Sequence, residues 1–590
     1  MKSSAAANPV AANPVAARRG TAHYLLEALV ELEVEYVFAN LGTDHVSLIE
    51  ALAVWEEQGR QAPQVVLCPH ENVAVHMAGG FAAMTGRAQV VLVHVDVGSA
   101  NAALGLHNLF RRRTPVLLLA GRAPVTLHGE LTGSRDHYVH YMQDPFDIAS
   151  LVRPFVKWEY DLAVGVNIKE VFRRMHAVAH SSPAGPVYLT LAREVLAQEW
   201  ALDEVRFYPQ ADYGPVLRGG CSPEVAANIA TRLMAAKKPV VITSYLGRSQ
   251  DAVNELEALA HAAGLCVVEH NPVDLNLRRD SVCHGGFDPR SVLPGADLVV
   301  LLDVDVPWLG HEGLLAPNTY IVHVDVDTIK RDLPMWGFAS HLRLEGDCAA
   351  VLRAVRSALA AQSTAAFEQQ VKERLVALQA ARVERAARVA QARARPGERG
   401  AIAVDYVCHC LNEALRPEDI VVNEAVSNTG AVLNHMNRSL PGTYISSAGG
   451  GLGYSGAMAL GAKLARPQSR VVQIVGDGSF HLGTPTSVYA VAQEQALPIF
   501  TVVLDNAGWA AVRNATELVY PQGAAARARR FQSSLGGSVR RFDAVAAAFG
   551  AHGEAVDDPD LLPSAIERCL AALAHGRAAL LQVAIGGHAQ

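Results

Sequence analysis

Cysteine is scarce in this 590-residue chain and shows no pairing pattern. The eight cysteines (Cys68, Cys221, Cys266, Cys283, Cys348, Cys408, Cys410, Cys569) contain no C-x-x-C spacing, which argues against a zinc site or a disulfide framework and points to a reducing, cytoplasmic compartment. Long apolar runs are missing as well. None reaches the roughly 18 residues that a membrane-spanning helix needs. No basic run is longer than Arg111-Arg112-Arg113 and the net charge is only −7, so nothing announces nucleic acid or a membrane as partner. A small-molecule site is the better expectation, in a chain too long for one core and suited to about three domains. Residues 1–18, with a repeated AANPV unit and no apolar h-region, read as a disordered tail.

What the chain does contain is a repeated grammar of strand and helix. Continuous Val/Ile/Leu runs occur near 64, 90, 115 and 186, again near 239, 298 and 320, and again near 470, 498 and 578. Apolar strands alternating with helical segments indicate parallel sheets covered on both faces. A polar stretch near 202–222 and an Ala/Arg/Glu-rich helical linker, 362–399, separate the three groups. The expected fold is therefore α/β, with three doubly wound parallel-sheet domains at 19–195, 215–358 and 400–588.

The most informative stretch is VVQIVGDGSF followed by PIFTVVLDNAGW. Two strands end in Asp477 and Asn506, and ligands of open parallel sheets sit beyond such strand ends. Oxygens from both side chains suit a hard cation such as Mg²⁺, which shares its ligands with cofactor phosphates. Gly476 and Gly478 leave room for a diphosphate beside the backbone. The alternative is a strand-to-helix turn that merely needs glycine.

GDG, some thirty residues and then an Asn closing a strand resembles the signature of thiamine-diphosphate enzymes, in the group of acetolactate synthase, pyruvate oxidase and benzoylformate decarboxylase. The resemblance covers nearly the whole chain and implies a pyrimidine-binding, a central and a diphosphate-binding domain. By it, Asp477, Asn506 and the Gly508 carbonyl would hold Mg²⁺. NEAVSNTG (423–430) and SSAGGGLGYSGAMALGAKLA resemble the segments that grip the cofactor. They assign Ser427 and Asn428, with Gly476, Gly478 and Ser479, to the diphosphate, and Leu452 to the apolar prop beneath the bent cofactor. In the first domain, CPHENVAVHMAGG places Glu71 where the family has its one essential glutamate, which activates the cofactor by a hydrogen bond to its pyrimidine ring. The competing reading of Glu71 is a helix N-terminal acid favoured by the dipole.

Substrate-side residues follow from the same resemblance. In FANLGTDH, Thr43 takes the small hydroxyl position and Leu41 replaces a proline. In VHVDVGSANAALG, Asn101 keeps the last position of a segment usually written S-G-P-G-x-x-N, while Asp96 and Val97 replace its first glycine and its proline. His94 falls where benzoylformate decarboxylase carries a histidine that acts on substrate, and His311 lies near a second one. A lone His at a strand end is more often structural. Some relatives bind FAD or an adenine nucleotide in the central domain, and no glycine-rich fingerprint decides that here. Expected partners are a 2-oxo acid, with an aldehyde or second 2-oxo acid for ligation, and a second copy of the chain, since the family builds its sites between subunits of a homodimer or homotetramer. The alternatives are acyl-CoA lyase or decarboxylase chemistry on the same scaffold, and a non-catalytic subunit acting by binding alone.

Overall fold

A run of Val, Ile and Leu with no polar alternation can be buried only between two layers. The computed structural model, which describes residues 18–535 and 540–586, arranges these runs in three six-stranded sheets. The first comprises β1 (Tyr36–Ala39), β2 (Gln64–Leu67), β3 (Val90–Val93), β4 (Leu117–Arg122), β5 (Glu159–Leu162) and β6 (Val187–Ala192), in the spatial order β2-β1-β3-β4-β6-β5. The middle sheet comprises β7 (Pro239–Thr243), β8 (Cys266–Glu269), β9 (His284–Gly286), β10 (Leu298–Leu302), β11 (Tyr320–Asp325) and β12 (Leu342–Glu345), ordered β9-β8-β7-β10-β11-β12. The third comprises β13 (Ile420–Glu424), β14 (Tyr444–Ile445), β15 (Val471–Gly476), β16 (Phe500–Asp505), β17 (His552–Val556) and β18 (Ala579–Ala584), ordered β14-β13-β15-β16-β18-β17. Neighbouring strands in all three run parallel. The α/β class is that expected from the sequence. Among the described residues no helix is long and apolar enough to cross a membrane.

One expectation needs correction. Arg18, read as part of the tail, pairs with Ala201 in an antiparallel ribbon of Arg18–Gly20 and Glu199–Ala201; residues 1–17 lie outside the described residues. Cys408 is buried in the core of the third domain. The basic run Arg111-Arg112-Arg113 faces inward and joins the domains. Arg111 donates to the Asp332 carbonyl (3.1 Å), Arg112 to the Ser446 carbonyl (3.0 Å) and to Asp274, and Arg113 to Asp305 (2.7 Å) and Asp325 (3.0 Å).

Helices α1 (Glu71–Thr85) and α2 (Val95–Arg112) belong to the first domain, α3 (Ala365–Arg393) follows the middle one, and α4 (Ser455–Ala465) belongs to the third. Small residues let α1 and α4 touch backbone to backbone. A Cβ on Gly80 would strike the Met458 carbonyl, and one on Gly461 the Met77 carbonyl. One apolar core consequently runs from Phe38 and Val91 in the first sheet, through Met77 and Met458, to Val422 and Val471 in the third. The strand ends of both sheets are thereby held in a fixed relation. Helix α3 is exposed over most of its length, with Phe367, Val371 and Arg374 buried on the middle domain.

Candidate active site

At the end of β15 the backbone enters α5 (Asp477–Leu482). Asp477 Oδ1 accepts a hydrogen bond from Gly478 N (2.8 Å) and Oδ2 one from Gly508 N (2.9 Å). Asn506 Oδ1 accepts from the same Gly508 N at 3.2 Å, so the two side chains named from the GDG-to-Asn spacing do converge. The Gly508 carbonyl accepts from Ala510 N (3.2 Å). Burial pushes the Asp477 carboxyl up to about 6; the Gly478 N–H works against the rise and the neighbouring Asp505 adds to it. Asp505 is itself paired with Arg540 (2.9 Å).

The two glycines of GDG differ. A Cβ at Gly476 would meet open space, whereas one at Gly478 would overlap the Trp509 indole. Gly478 is therefore small to accommodate Trp509, and only Gly476 leaves the room read from the sequence. Ser427 and Asn428 lie on the turn Val426–Asn428 that follows β13, with Ser427 exposed. Ser479 is buried, and Leu452 is half-buried in the loop before α4. Val426 (φ 48°), Ala507 (φ 64°) and, in the first domain, Val95 (φ 33°) have left-handed backbones just beyond β13, β16 and β3. Such strain, costing about 1–3 kcal/mol per residue, is characteristic of functional loops.

Sequence reasoning missed Glu424. It closes β13, is buried, and accepts hydrogen bonds from Gly453 N (2.5 Å), Ser455 N (3.0 Å) and Ser455 Oγ (2.5 Å). It thus ties the GGLG loop to the sheet. Burial raises its carboxyl to about 7 against the pull of those donors. The signal was present in NEAVSN, but an acid beside the assigned Ser427 and Asn428 reads as one more solvated residue.

In the first domain, Glu71 heads α1 and is buried, its Oε2 accepting from Asn101 Nδ2 at 3.0 Å. The segment VDVGSAN forms the first turns of α2; with neither Gly nor Pro at Asp96 and Val97, nothing breaks the helix there. His94 stands just before it, half-exposed, with Nδ1 2.6 Å from Asp44 Oδ1 and Nε2 3.2 Å from Gln143 Oε1. The hydrogen bond to Asp44 raises the His94 pKa above the ordinary value, against the opposing effect of burial. Burial pulls the Asp44 carboxyl up, but His94 and His45 outweigh it and hold it below the usual range. Thr43 lines the same small cavity as His94 and Gln143. His311 is exposed on the turn Gly310–Glu312 after β10, and among the described contacts none joins it to the other predicted site residues.

The first and third domains meet at the GGLG loop. Asn108 on α2 donates to the Gly451 carbonyl (2.9 Å) and accepts from Gly451 N (3.1 Å), and Asn72 donates to the Gly453 carbonyl (3.4 Å). His76 links the two asparagines, at 2.9 Å from the Asn72 carbonyl and 3.1 Å from Asn108 Nδ2. Burial lowers its pKa to about 4, so it is neutral and accepts from Asn108.

Comparison with known proteins identifies this arrangement. Residues 19–151 match the thiamine pyrophosphate enzyme N-terminal TPP binding domain and residues 425–583 the C-terminal TPP binding domain. The chain belongs to the thiamine pyrophosphate enzyme family. Along its length the enzyme is 24% identical to the acetolactate synthase isozyme 3 large subunit of Escherichia coli, over 96% of this chain and 95% of that one. It is 26% identical to the benzoylformate decarboxylase of Pseudomonas aeruginosa, over 76% and 80% of the two chains. Its fold resembles the thiamine diphosphate-dependent 4-hydroxybenzoylformate decarboxylase of Rhodococcus jostii, with TM-score 0.76, 19% identity, and 96% and 99% of the chains covered.

Proposed function

We propose that this thiamine pyrophosphate enzyme breaks or forms the carbon–carbon bond beside the carbonyl of a 2-oxo acid, using thiamine diphosphate held through Mg²⁺. The observation that carries the reading is the oxygen cluster at the ends of β15 and β16. Asp477 and Asn506 share one N–H, and the raised Asp477 carboxyl is that of an acid short of counter-charge. An all-oxygen donor set with unmet negative charge fits a hard divalent cation. Asp477, Asn506 and the Gly508 carbonyl would hold the ion. Ser427, Asn428, Ser479 and the open backbone at Gly476 would hold the diphosphate, and Leu452 would support the rings.

When bound, the cofactor supplies a thiazolium carbon that adds to the ketone and accepts the electron pair released as CO₂ departs. The remaining work falls to side chains. Glu71, buried at the head of α1 and held by Asn101, has the burial that a carboxyl needs to share a proton with a pyrimidine nitrogen. His94, half-exposed beside Thr43 and Gln143, moves the proton that an acyl carbon needs to leave as an aldehyde. Ligation to a second carbonyl is the other fate of that carbon, and both a synthase and a decarboxylase are among the similar proteins. His311 receives no role. A purely binding subunit has no use for Glu71, Asp477 and Asn506 together.

A flavin is not assigned to the central crevice. Beyond the ends of β7, β10 and β11 the Arg113 guanidinium lies between Asp305 and Asp325 and over the Tyr245 ring, and a cavity of about 310 Å³ opens beside it. Assembly is read as a homodimer or homotetramer, with sites completed between subunits.

The test is CO₂ release from a panel of 2-oxo acids, with and without an acceptor aldehyde, in thiamine diphosphate and Mg²⁺ and then in EDTA. Release that depends on cofactor and metal is expected. No turnover of any 2-oxo acid by cofactor-loaded protein would overturn the reading.

A further inference from the structure

The polar group packed most closely against His94 is Asp44, which no motif marks. Asp44 lies on the turn after β1, fifty residues earlier in the chain, with its side chain 4% exposed and its Oδ1 2.6 Å from His94 Nδ1. Its Oδ2 lies 3.4 Å from Val95 N, the residue with the left-handed backbone, and 3.4 Å from Nε2 of buried His45. Two glycines make the room. A Cβ on Gly42 would overlap the His94 ring, and one on Gly121 would overlap the Asp44 carboxylate.

A carboxylate only accepts, so Nδ1 keeps its proton whether or not the ring is charged. The proton that comes and goes is then on Nε2, which faces the cavity lined by Thr43, Gln143 and Arg122. We propose that Asp44 is the positioning residue of this site, locking His94 by Nδ1–H so that Nε2 is the atom that delivers and recovers the proton. The inference rests on the reading of this protein as a 2-oxo acid enzyme. In the balanced step, R–CO–COO⁻ and one proton give R–CHO and CO₂. The carbon–carbon bond breaks, its electron pair stays with the acyl side, and Nε2–H supplies the proton to that carbon. Neutral His94 then regains a proton from solvent.

The charged and titratable groups that face His94 are Asp44 and His45 from the turn after β1, Asp96 from the first turn of α2, Arg122 at the end of β4, His140 on the helix Val139–Met142, and Arg193 after β6. Arg122 is paired with Asp161 and Arg193 with Asp136, and burial, then Arg193, holds the His140 pKa below the ordinary value. Among the described residues Asp44 is the one carboxylate in hydrogen-bond contact with the ring. It stabilises the imidazolium, and activity that needs Nε2–H declines as pH rises through the His94 pKa.

Asp44→Asn and Asp44→Glu would be compared with wild type as holoenzymes. The pH profiles of kcat and KM would be taken on whichever of pyruvate, 2-oxobutanoate and phenylglyoxylate wild type decarboxylates fastest, and His94 would be titrated by NMR. Asp44→Asn should lower kcat about tenfold or more and move the alkaline limb down by about one unit or more, with KM and cofactor affinity little changed. Asp44→Glu should restore the limb in part. A fall in kcat with the limb unmoved would overturn the proposal, because a merely structural Asp44 predicts that. Should Asp44→Asn fail to fold, a wild-type His94 midpoint above about 6.5 supports the dyad and one at or below it overturns the dyad. If wild type turns over no 2-oxo acid, the functional reading fails while the NMR titration still decides whether Asp44 holds His94.

Discussion

The first and third sheets are the same scaffold with different contents. Their strand orders, β2-β1-β3-β4-β6-β5 and β14-β13-β15-β16-β18-β17, are identical in sequence of winding. Each reverses direction beside its first strand, and a crevice opens there beyond the strand ends. In the first sheet that crevice holds an imidazole locked to a carboxylate, Asp44–His94. In the third the corresponding loops carry Glu424 and Asp477, whose oxygens accept mainly from backbone N–H groups. On the proposed function, one crevice would move a proton and the other would accept positive charge. The middle sheet is wound differently, β9-β8-β7-β10-β11-β12, and sets Arg113 among buried aspartates at its own crevice. Topology fixes where a site can be, and side chains decide what it does.

The strongest way to break this comparison is to remove the acid proposed to hold a cation. Asp477→Ala should abolish Mg²⁺-dependent binding of thiamine diphosphate, because the ion loses its charged ligand and the diphosphate its counter-charge. Calorimetry with Mg²⁺ and with EDTA checks it; equal cofactor affinity in EDTA would mean that the third crevice is not a metal site. Next in size is Glu71→Gln. Cofactor affinity should persist while turnover falls about 10²- to 10⁴-fold, since the amide fills the space but cannot share a proton. Loss of binding with normal turnover at saturating cofactor would place Glu71 in packing instead.

The middle crevice gives a prediction of another kind. Arg113→Met leaves Asp303, Asp305 and Asp325 facing Lys330, Arg248 and His323, and removing one partner from a buried ionic cluster costs about 3–5 kcal/mol. Thermal melts should show that loss, and turnover per folded site should stay near wild type. An unchanged melt would show that Arg113 does not hold the aspartate cluster together.

How far the sequence foretells all this depends on the range of the interactions. Each apolar run read as a strand is one, because burial on both faces leaves a local signature. The convergence of Asp477 and Asn506 was legible because adjacent parallel strands bring their ends together. Asp44 was not, because its partner is fifty residues away and a turn aspartate next to Thr43 looks solvated. The inward role of Arg111-Arg112-Arg113 was not legible for a similar reason: its acceptors come from the middle and third domains, far along the chain. The GDG turn was half legible, since a sequence cannot tell a glycine kept for a ligand, Gly476, from one kept for an indole, Gly478.

The smallest expected effect sharpens the contrast between the two matching crevices, through pH. Asp44 has a folded-state pKa below the ordinary value, so its contribution to stability is present above the usual aspartate range and is lost as pH falls through the lowered value. Glu424 has the opposite sign. Its folded pKa of about 7 exceeds the unfolded 4.5, so its contribution is complete below pH 4.5 and declines as pH rises through 7. The three hydrogen-bond donors around it favour the ionised form and hold the effect to the order of 1–3 kcal/mol. Melts of the cofactor-free protein between pH 5 and 8 should therefore show stability falling with pH, and Glu424→Gln, which cannot ionise, should flatten the slope. Mg²⁺ with thiamine diphosphate should raise the whole curve by binding at Asp477 without removing the Glu424 slope, because Glu424 is directed at the Gly453 and Ser455 backbone. A slope of equal steepness in wild type and Glu424→Gln would assign the pH dependence elsewhere, and the two crevices would then differ in their ligands but not in the direction of their titration.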